Sequence, residues 1–431
     1  MEVTMRVLFG LMMVFLFGCA SAQSAEFSHL GTVKVAQLNE ILSAERAKFL
    51  PADGMGAQYQ YPQAGEAKND VEIYRVSYDS VIPELNNKPV RASGLVAIPK
   101  SLQSKAAPLI SYQHGTVFGK YEVPSYAFET RNPSGHSHYD GAYETRLMVA
   151  QFAGNGYILM AADYFGLGDS AASEGYMVKA SSQQACNDLY HAVITFLADK
   201  HIQPTSFYLG GWSQGGLVTT GFLQKLETDG VKVDAAFTAS SPNDPYAAII
   251  GRVYYPRDID AVWMNATMAL TVFSYENYFS LPQLGRSVIK DQYYDDLKRL
   301  YTRNYDGPEG LEKIFRNLLA NGPVPFKAYF RDEYQDPAYF AASQYGKLLA
   351  SAETYRQLFK TPLKMFYGNA DEVIALPVGE LAWVYQQTLG GDAVSKVLVP
   401  GANHRATFLT AVSQAKVWLD TVQKHSDRVA K

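Results

Sequence analysis

The sequence predicts an α/β fold: a mostly parallel sheet with helices on both faces and a helical cap inserted before the last strands. The first observation is a series of short apolar runs, at residues 108–113, 157–162, 206–212, 235–240 and 362–368. The second is that amphipathic helical patterns separate most of these runs, which is typical of parallel strands buried on both faces. The third is that the alternation stops over residues 245–360, where Tyr, Phe, Asp and Arg follow helical spacing.

The composition is that of an ordinary globular protein. The 431 residues are 47% hydrophobic and 19% charged, which suits one large domain with an insertion, or two domains. The formal net charge of −4 does not indicate the positively charged surface that binds nucleic acid, so we expect no such partner. Thirty tyrosines and 22 phenylalanines favour apolar pockets and surfaces over charged ones.

The first 22 residues predict a signal peptide. Residues 7–17 form an apolar run that is short for a membrane-spanning helix, with Arg6 before it and small residues after it. Two processing outcomes stay open. Cleavage before Gln23 releases a soluble exported protein, whereas the Leu-Phe-Gly-Cys sequence ending at Cys19 resembles a bacterial lipoprotein signal. We therefore expect a periplasmic or secreted protein, with an outer-membrane lipoprotein anchored through Cys19 as the alternative.

Cysteine usage fits an exported protein without disulfides. Cys186 is the only cysteine besides Cys19, so no intrachain partner remains once Cys19 is removed or acylated. Cys186 begins a helical pattern with Leu189, Val193 and Phe196, which favours a small buried residue over a catalytic thiol.

We expect five segments in chain order. They are a signal peptide, an N-terminal extension, the first part of the core, the inserted helical cap and the second part of the core, at residues 1–22, 23–70, 71–244, 245–360 and 361–431. The extension begins with helical periodicity that includes Leu38, Ile41 and Leu42. Residues 71–81 and 90–98 predict an antiparallel hairpin at the edge of the sheet.

The remaining elements follow from periodicity. We expect helices in the core at residues 143–153, 186–200, 378–387 and 407–425, and a last strand at residues 396–399. Within the cap we expect helices at residues 259–273, 292–301, 311–319 and 343–359.

The most informative motif is Gly211-x-Ser213-x-Gly215, between a short apolar strand and an amphipathic helix. This pattern predicts a nucleophile elbow, a tight turn that holds a serine in a strained backbone conformation. Glycine two residues to either side leaves room for the turn. The helix that follows offers free N–H groups to a developing oxyanion.

A serine nucleophile needs a general base and an acid that orients it. We expect His404 to be the base, because it follows the last strand in a glycine-containing loop and precedes the final helix. We expect Asp371, after the penultimate strand, to be the acid. Asp244, one strand earlier, and Glu372 are the alternatives.

An oxyanion hole needs two N–H groups. One is expected from Gln214, directly after the nucleophile, and the other from the loop that follows the strand ending at Gln113. Thr116 is the first choice in that loop and Val117 the second. We expect His114 to brace the loop rather than to react.

Five stretches together resemble the α/β-hydrolase superfamily, and most of all its exported lipase and esterase branch, including the secretory lipases. They are Tyr112-Gln113-His114-Gly115-Thr116, Asp163-Tyr164-x-Gly166-Leu167-Gly168, Gly211-Trp212-Ser213-Gln214-Gly215-Gly216, Gly368-x-x-Asp371 and Gly401-x-x-His404. The similarity covers most of the chain after about residue 70 and is weak across the cap. The resemblance implies that residues 163–170 form a structural loop, in which Asp163 is not catalytic.

The expected function is hydrolysis of carboxylic esters, of small molecules or lipids, by an exported serine hydrolase without a metal or organic cofactor. The alternative is a serine peptidase, because the same triad cleaves amides. Two other classes were weighed. The His136-x-His138-x-Asp140 sequence is a partial match to a zinc-ligand motif, although Gly141 stands where another histidine is required. A non-catalytic binding protein would not require Ser, Asp and His together.

Overall fold

The computed structural model describes residues 24–51, 58–60, 62, 65–102, 105–129, 141–305, 307–319 and 325–429. The signal-peptide and Cys19 predictions lie outside these residues, as does the His136-x-His138-x-Asp140 motif. Among the helices described, none is long and apolar enough to cross a lipid bilayer.

The centre of the molecule is a nine-stranded sheet in the order β1-β2-β3-β5-β4-β6-β7-β8-β9. Its strands are β1 Ala25–Val33, β2 Val71–Ile82, β3 Lys88–Pro99, β4 Ala106–Gln113, β5 Ile158–Ala162, β6 Gln203–Trp212, β7 Ala235–Ala239, β8 Leu363–Gly368 and β9 Val394–Val399. Strands β1, β2 and β3 are antiparallel to their neighbours. The other six strands, β4 to β9, run parallel to one another. The predicted mostly parallel sheet is confirmed.

Helices connect the parallel strands and fill the space between β7 and β8. They are α1 Val35–Ala47, α2 Tyr143–Phe152, α3 Lys179–Asp199, α4 Gln214–Thr228, α5 Pro245–Tyr254, α6 Thr267–Tyr278, α7 Leu284–Val288, α8 Asp291–Thr302, α9 Gly307–Leu318, α10 Pro337–Ala342, α11 Gln344–Ser351, α12 Leu376–Gly379, α13 Leu381–Thr388 and α14 His404–Val429. Seven of them, α5 to α11, lie in the segment that the sequence predicts as a cap.

Apolar side chains cover both faces of the sheet, because successive residues of a strand point to opposite sides. On β4, Leu109 belongs to the hydrophobic cluster that includes α3, α4 and the helices between β7 and β8. The next residue, Ile110, belongs to the cluster formed with α1, α2 and α14. Because the parallel strands run in the same direction, they end at one common edge, where their C-terminal loops meet.

The N-terminal part of the sheet differs from the prediction. Helical periodicity was expected at the start of the N-terminal extension, but β1 comes first and α1 begins only at Val35. A register shift between His29 and Gly31 interrupts the strand alternation, which hides β1 in the sequence. Because β1 pairs with β2, the expectation that the β2–β3 hairpin forms the edge of the sheet was wrong.

The largest differences in helix boundaries are at α3, α6 and α11. Helix α6 begins at Thr267 rather than at residue 259. Helix α3 begins at Lys179 rather than at residue 186, because the Glu84 carboxylate accepts hydrogen bonds from the N–H and hydroxyl groups of Ser181. The helix expected over residues 343–359 ends at Ser351. Its continuation leaves the helix because the Thr354 N–H donates to the carbonyl of Asn243, which follows β7.

Candidate active site

Ser213 occupies a strained turn between β6 and α4. Its φ of 58° and ψ of −124° lie outside the regions that L-residues normally adopt. Close approach makes glycine necessary on both sides: a Cβ on Gly211 would overlap the Gly215 carbonyl, and a Cβ on Gly215 would overlap the Gln113 carbonyl. The turn therefore matches the predicted elbow, with Ser213 directly before the first residue of α4.

The loop after β4 lies beside this turn because β4 and β6 are neighbouring parallel strands, with Gln113 paired to Gly211. Thr116 and Ser213 border the same cavity. In the described part of the chain, the N–H groups of Thr116 and Gln214 donate no hydrogen bond to a protein acceptor. The Thr116 hydroxyl is instead hydrogen-bonded to the Tyr176 hydroxyl at 2.8 Å.

His404 and Asp371 form a buried pair. The His404 Nδ1 atom lies 3.1 Å from each carboxylate oxygen of Asp371. The N–H groups of Val373 and Ile374 donate to Asp371 Oδ1 at 2.8 Å, which fixes the carboxylate. Burial acts to raise the pKa of Asp371, but the charge of the His404 ring and its hydrogen bond outweigh burial and hold that pKa below its ordinary value.

The two alternative acids have other partners. The Glu372 carboxylate accepts a hydrogen bond from the backbone N–H of His404 at 3.0 Å, not from its ring. Asp244 caps α5 by accepting from the Ala247 N–H at 2.9 Å, and it accepts from the Tyr355 hydroxyl at 3.2 Å. The residue whose carboxylate meets the His404 ring is Asp371.

His114 lies in the loop after β4, where its ring meets backbone rather than carboxylate. Its Nδ1 lies 2.7 Å from the Gly115 carbonyl oxygen, and its Nε2 lies 3.2 Å from the Asp163 carbonyl oxygen. Burial lowers the pKa of His114 to about 4. The Asp163 side chain accepts hydrogen bonds from the Ser93 hydroxyl and the Ser125 N–H. These contacts hold the loop together.

Two side chains at the site were missed by sequence reasoning. Trp212, directly before the nucleophile, donates from its indole N–H to the His404 carbonyl at 3.2 Å, and its ring lies 5.0 Å from the His404 ring. Glu144, in the first turn of α2, accepts from the Gly115 N–H at 2.8 Å and from the Tyr112 hydroxyl at 2.9 Å. Burial raises the pKa of Glu144 to about 7, although these bonds oppose the shift.

Ser213 stands between two cavities. One, of about 380 Å³, also contains His404 and Thr116. The other, of about 50 Å³, lies between α5, α6 and residues 373–374, and its wall is mainly apolar. Met264 borders both cavities, so the segment between β7 and β8 contributes to the surface around the serine.

The remaining candidates lie elsewhere. Cys186 is buried in the core, as predicted, and burial raises the pKa of its thiol. Within the ranges the structure describes, no group of three or more His, Cys, Asp or Glu side chains is arranged to hold a metal ion.

Comparison with known proteins identifies the fold. No protein-family model and no curated protein matches the sequence. A provisionally designated hydrolase from Legionella pneumophila is similar over 92% of this chain and 97% of its own, with 20% identity and a TM-score of 0.73. The rice cell wall degrading esterase LipA from Xanthomonas oryzae is similar over 93% of this chain and 98% of its own, with 18% identity and a TM-score of 0.74.

A third similar structure is Candida antarctica lipase A in its closed state. It shares 14% identity with a TM-score of 0.62, and the similarity spans 87% of this chain and 85% of the lipase. At identities this low, the likeness describes architecture rather than activity. Together with the sheet order and the elbow, it shows that this chain has the α/β-hydrolase fold.

Proposed function

We propose that this protein is a serine hydrolase that cleaves carboxylic esters through a covalent acyl-enzyme. The observation that carries the proposal is the strained Ser213 turn, which borders one cavity together with His404, whose ring meets the buried Asp371 carboxylate. A backbone strained at a single serine, beside a histidine whose ring is fixed by a carboxylate, is the arrangement that activates a hydroxyl nucleophile.

In this mechanism Ser213 Oγ attacks the ester carbonyl carbon while His404 Nε2 accepts the hydroxyl proton. Asp371 receives the His404 Nδ1–H, which fixes the tautomer and stabilises the imidazolium that forms. The N–H groups of Thr116 and Gln214 stabilise the negative charge on the carbonyl oxygen. When the intermediate collapses, His404 donates its proton to the leaving alcohol, and water then hydrolyses the acyl-enzyme by the same steps.

Two further points support an ester substrate. The similar structures include an esterase and a lipase by name. The surface around Ser213 includes apolar and aromatic side chains such as Met264, Ile249 and Trp263. We propose that residues 245–360 act as a cap over the site and that the protein is exported, as its N-terminal sequence predicts.

The test is a panel of p-nitrophenyl esters beside aminoacyl p-nitroanilides, assayed with the wild type and with Ser213→Ala. We expect ester turnover that Ser213→Ala abolishes while its circular dichroism and melting curve stay unchanged. Substantial residual turnover by the variant would refute Ser213 as the nucleophile. Anilide turnover without ester preference would instead identify a peptidase.

A metal control accompanies this test. We expect ester turnover to survive dialysis against EDTA, because no step requires a metal. Loss of turnover that zinc restores would contradict the serine mechanism and favour the His136-x-His138-x-Asp140 motif.

A further inference from the structure

The two cavities beside Ser213 differ in size and chemistry, and reaction geometry assigns each to one part of the substrate. The tetrahedral carbon bears Ser213 Oγ, the oxyanion, the leaving oxygen and the acyl chain. The leaving oxygen must lie next to His404, which protonates it, and His404 borders only the larger cavity. The acyl chain therefore points into the smaller cavity, on the other side of Ser213.

On this basis we propose that the substrate is an ester of a short acyl group with a larger, hydroxyl-bearing alcohol that carries no negative charge. This inference rests on the proposed function and names its substrate class. The acyl cavity is the 50 Å³ space between α5, α6 and residues 373–374. Because this space is much smaller than the cavity of about 380 Å³ on the other side of Ser213, it suits a short acyl group.

The wall of the acyl cavity is braced against widening. Arg252 of α5 donates hydrogen bonds to the carbonyls of Ala261, Glu372 and Val373, which ties α5 to the loop that carries Asp371. The Ala261 N–H donates to the Glu372 carbonyl at 2.9 Å and adds a second tie. Moving α5 outward for a longer chain would break these bonds and shift the loop behind the catalytic acid.

Among the described residues, the side-chain hydroxyls of threonine and tyrosine on the wall of the acyl cavity are already hydrogen-bonded. The Thr271 hydroxyl donates to the Met268 carbonyl and is hydrogen-bonded to the Tyr345 hydroxyl. The Tyr176 hydroxyl is hydrogen-bonded to Thr116. Because these polar groups on the wall are already paired, the cavity favours a plain alkyl chain.

The larger cavity offers both aromatic rings and hydrogen-bond acceptors to the alcohol part of the substrate. At about 380 Å³ it falls within the range of roughly 300–1,000 Å³ usual for small-molecule sites. Trp263, 41% exposed, and Tyr143 supply aromatic surface. Glu122 and Glu372 each bind loop N–H groups through Oε2, and within the described residues their Oε1 atoms accept no hydrogen bond, so they can accept from hydroxyls.

The charges in this cavity disfavour an anionic alcohol. The carboxylates of Glu122 and Glu372 outnumber the guanidinium of Arg405, which lies 5.6 Å from the Tyr143 ring. An alcohol that bears several hydroxyls and no negative charge satisfies the acceptors without meeting a like charge.

The test measures two ratios of kcat/KM. With p-nitrophenol as a fixed alcohol, activity should be highest for acetate to butyrate and fall at least about tenfold by octanoate. With acetate as a fixed acyl group, partially acetylated glucose and glycerol monoacetate should exceed methyl acetate and the anionic O-acetyl lactate. Rising activity toward octanoate, or a preference for O-acetyl lactate, would overturn the proposal.

Variants test the assignment of each cavity separately. Ala248→Leu, on α5, should lower the butyrate-to-acetate ratio, and Ile249→Ala beside it should raise the hexanoate-to-acetate ratio. Trp263→Ala should lower the ratio of acetylated glucose to methyl acetate and leave the acyl ratios in place. If the α5 variants changed the alcohol ratio instead, the assignment would be wrong. Failure of the proposed function is distinct, because it would abolish turnover of every ester.

A different observation concerns the loop that contributes to the oxyanion hole. Gly115, directly before Thr116, packs between Glu144 and Trp212: a Cβ there would lie 3.4 Å from Glu144 Oε2 and 3.2 Å from Trp212 Cε3. Glu144 Oε1 accepts the Gly115 N–H, and Oε2 accepts the Tyr112 hydroxyl at the end of β4. We propose that Glu144 is a positioning residue that aims the Thr116 N–H at the oxyanion.

The test compares Glu144→Ala with the conservative Glu144→Gln, with active sites counted by fluorophosphonate titration. Per titrated site, Glu144→Ala should lose about 10–100-fold in kcat with KM nearly unchanged, because the lost contact acts on the transition state. Affinity for a trifluoromethyl ketone should fall by a similar factor. Glu144→Gln, which keeps an oxygen for the Gly115 N–H, should recover most of kcat.

Two outcomes would overturn this role. One is an unchanged kcat per titrated site in Glu144→Ala, which would leave Glu144 with a purely structural role. The other is an equal loss in both variants, which would show that the charge of Glu144 matters and not its position.

Discussion

His114 and His404 are both almost fully buried, and each follows a strand of the same sheet edge, yet their surroundings differ. The His404 ring meets the carboxylate of Asp371, whereas the His114 ring meets the backbone carbonyls of Gly115 and Asp163. His404 borders the cavity that contains Ser213, and His114 lies stacked on Tyr164 in the core. The atoms that face the ring, rather than its burial, separate a candidate base from a structural brace.

Electrostatics explains the difference. A carboxylate stabilises an imidazolium, which a general base must become during the reaction. Backbone carbonyls provide only partial charge, and burial lowers the pKa of His114 to about 4, so its ring stays neutral. The same residue type at two strand ends is therefore suited to proton transfer in one place and to holding a loop in the other.

The largest effect is expected when the two histidines are replaced in turn. His404→Ala should lower kcat by about 10⁴-fold or more, and it should also lower the melting temperature because the buried Asp371 carboxylate loses its partner. His114→Gln should keep kcat within about tenfold and destabilise the fold by about 1–3 kcal/mol, because buried hydrogen bonds are lost. Kinetics and thermal unfolding of both variants test this, and the reverse pattern would exchange their roles.

A smaller but still large effect is expected at the aspartates. Asp371→Asn should lower kcat by roughly 10³–10⁴-fold, because the amide favours the wrong tautomer of His404. Asp163→Asn, at a buried carboxylate that binds Ser93 and Ser125 rather than a histidine ring, should mainly lower the melting temperature. Asp244→Asn serves as a second control, and a loss of kcat there greater than in Asp371→Asn would move the acid one strand back.

The smallest effect concerns stability between pH 4 and 6.5. Burial raises the pKa of Asp163 to about 6. Between about pH 3.8 and pH 6 the folded protein therefore holds a proton on Asp163 that the unfolded chain has lost, so stability falls as the pH rises through this window. The lowered pKa of His114 acts oppositely. Between pH 6.5 and about pH 4 the unfolded chain binds a proton at His114 and the folded chain does not, so stability rises with pH in this range.

These opposed contributions predict opposite slopes in the variants. Asp163→Asn should make the slope of melting temperature against pH more positive than in the wild type, because the opposing contribution of Asp163 is removed. His114→Gln should flatten or reverse the rise. Calorimetry from pH 4 to 6.5 measures this, and three parallel curves would contradict the assigned protonation states.

The strand ends of the site could be predicted from the sequence because parallel strands place their C-terminal loops at one edge. Ser213, Asp371 and His404 each follow a parallel strand of the sheet, and the structure brings the last two into contact; their catalytic roles stay a prediction. Glu144 could not be predicted. A glutamate in the first turn of an amphipathic helix normally faces solvent, and its contact with Gly115 depends on how α2 docks against β4.

The same limit applies to the elements. Strand runs such as residues 157–162 could be placed from their apolar composition, which follows from burial on both faces. Strand β1 could not, because the register shift at Gly31 breaks its alternation. The end of α11 was missed because it depends on the distant Asn243 carbonyl, a partner that no local periodicity reveals.

The central claim is that Ser213 is a nucleophile activated by His404. The most direct measurement is labelling with a fluorophosphonate, followed by peptide mass spectrometry of the wild type, His404→Ala and His114→Gln. We predict one label per chain on Ser213 in the wild type, nearly the same rate in His114→Gln, and a rate reduced by orders of magnitude in His404→Ala. Ester turnover with no label on Ser213, or equal labelling of both histidine variants, would contradict the account.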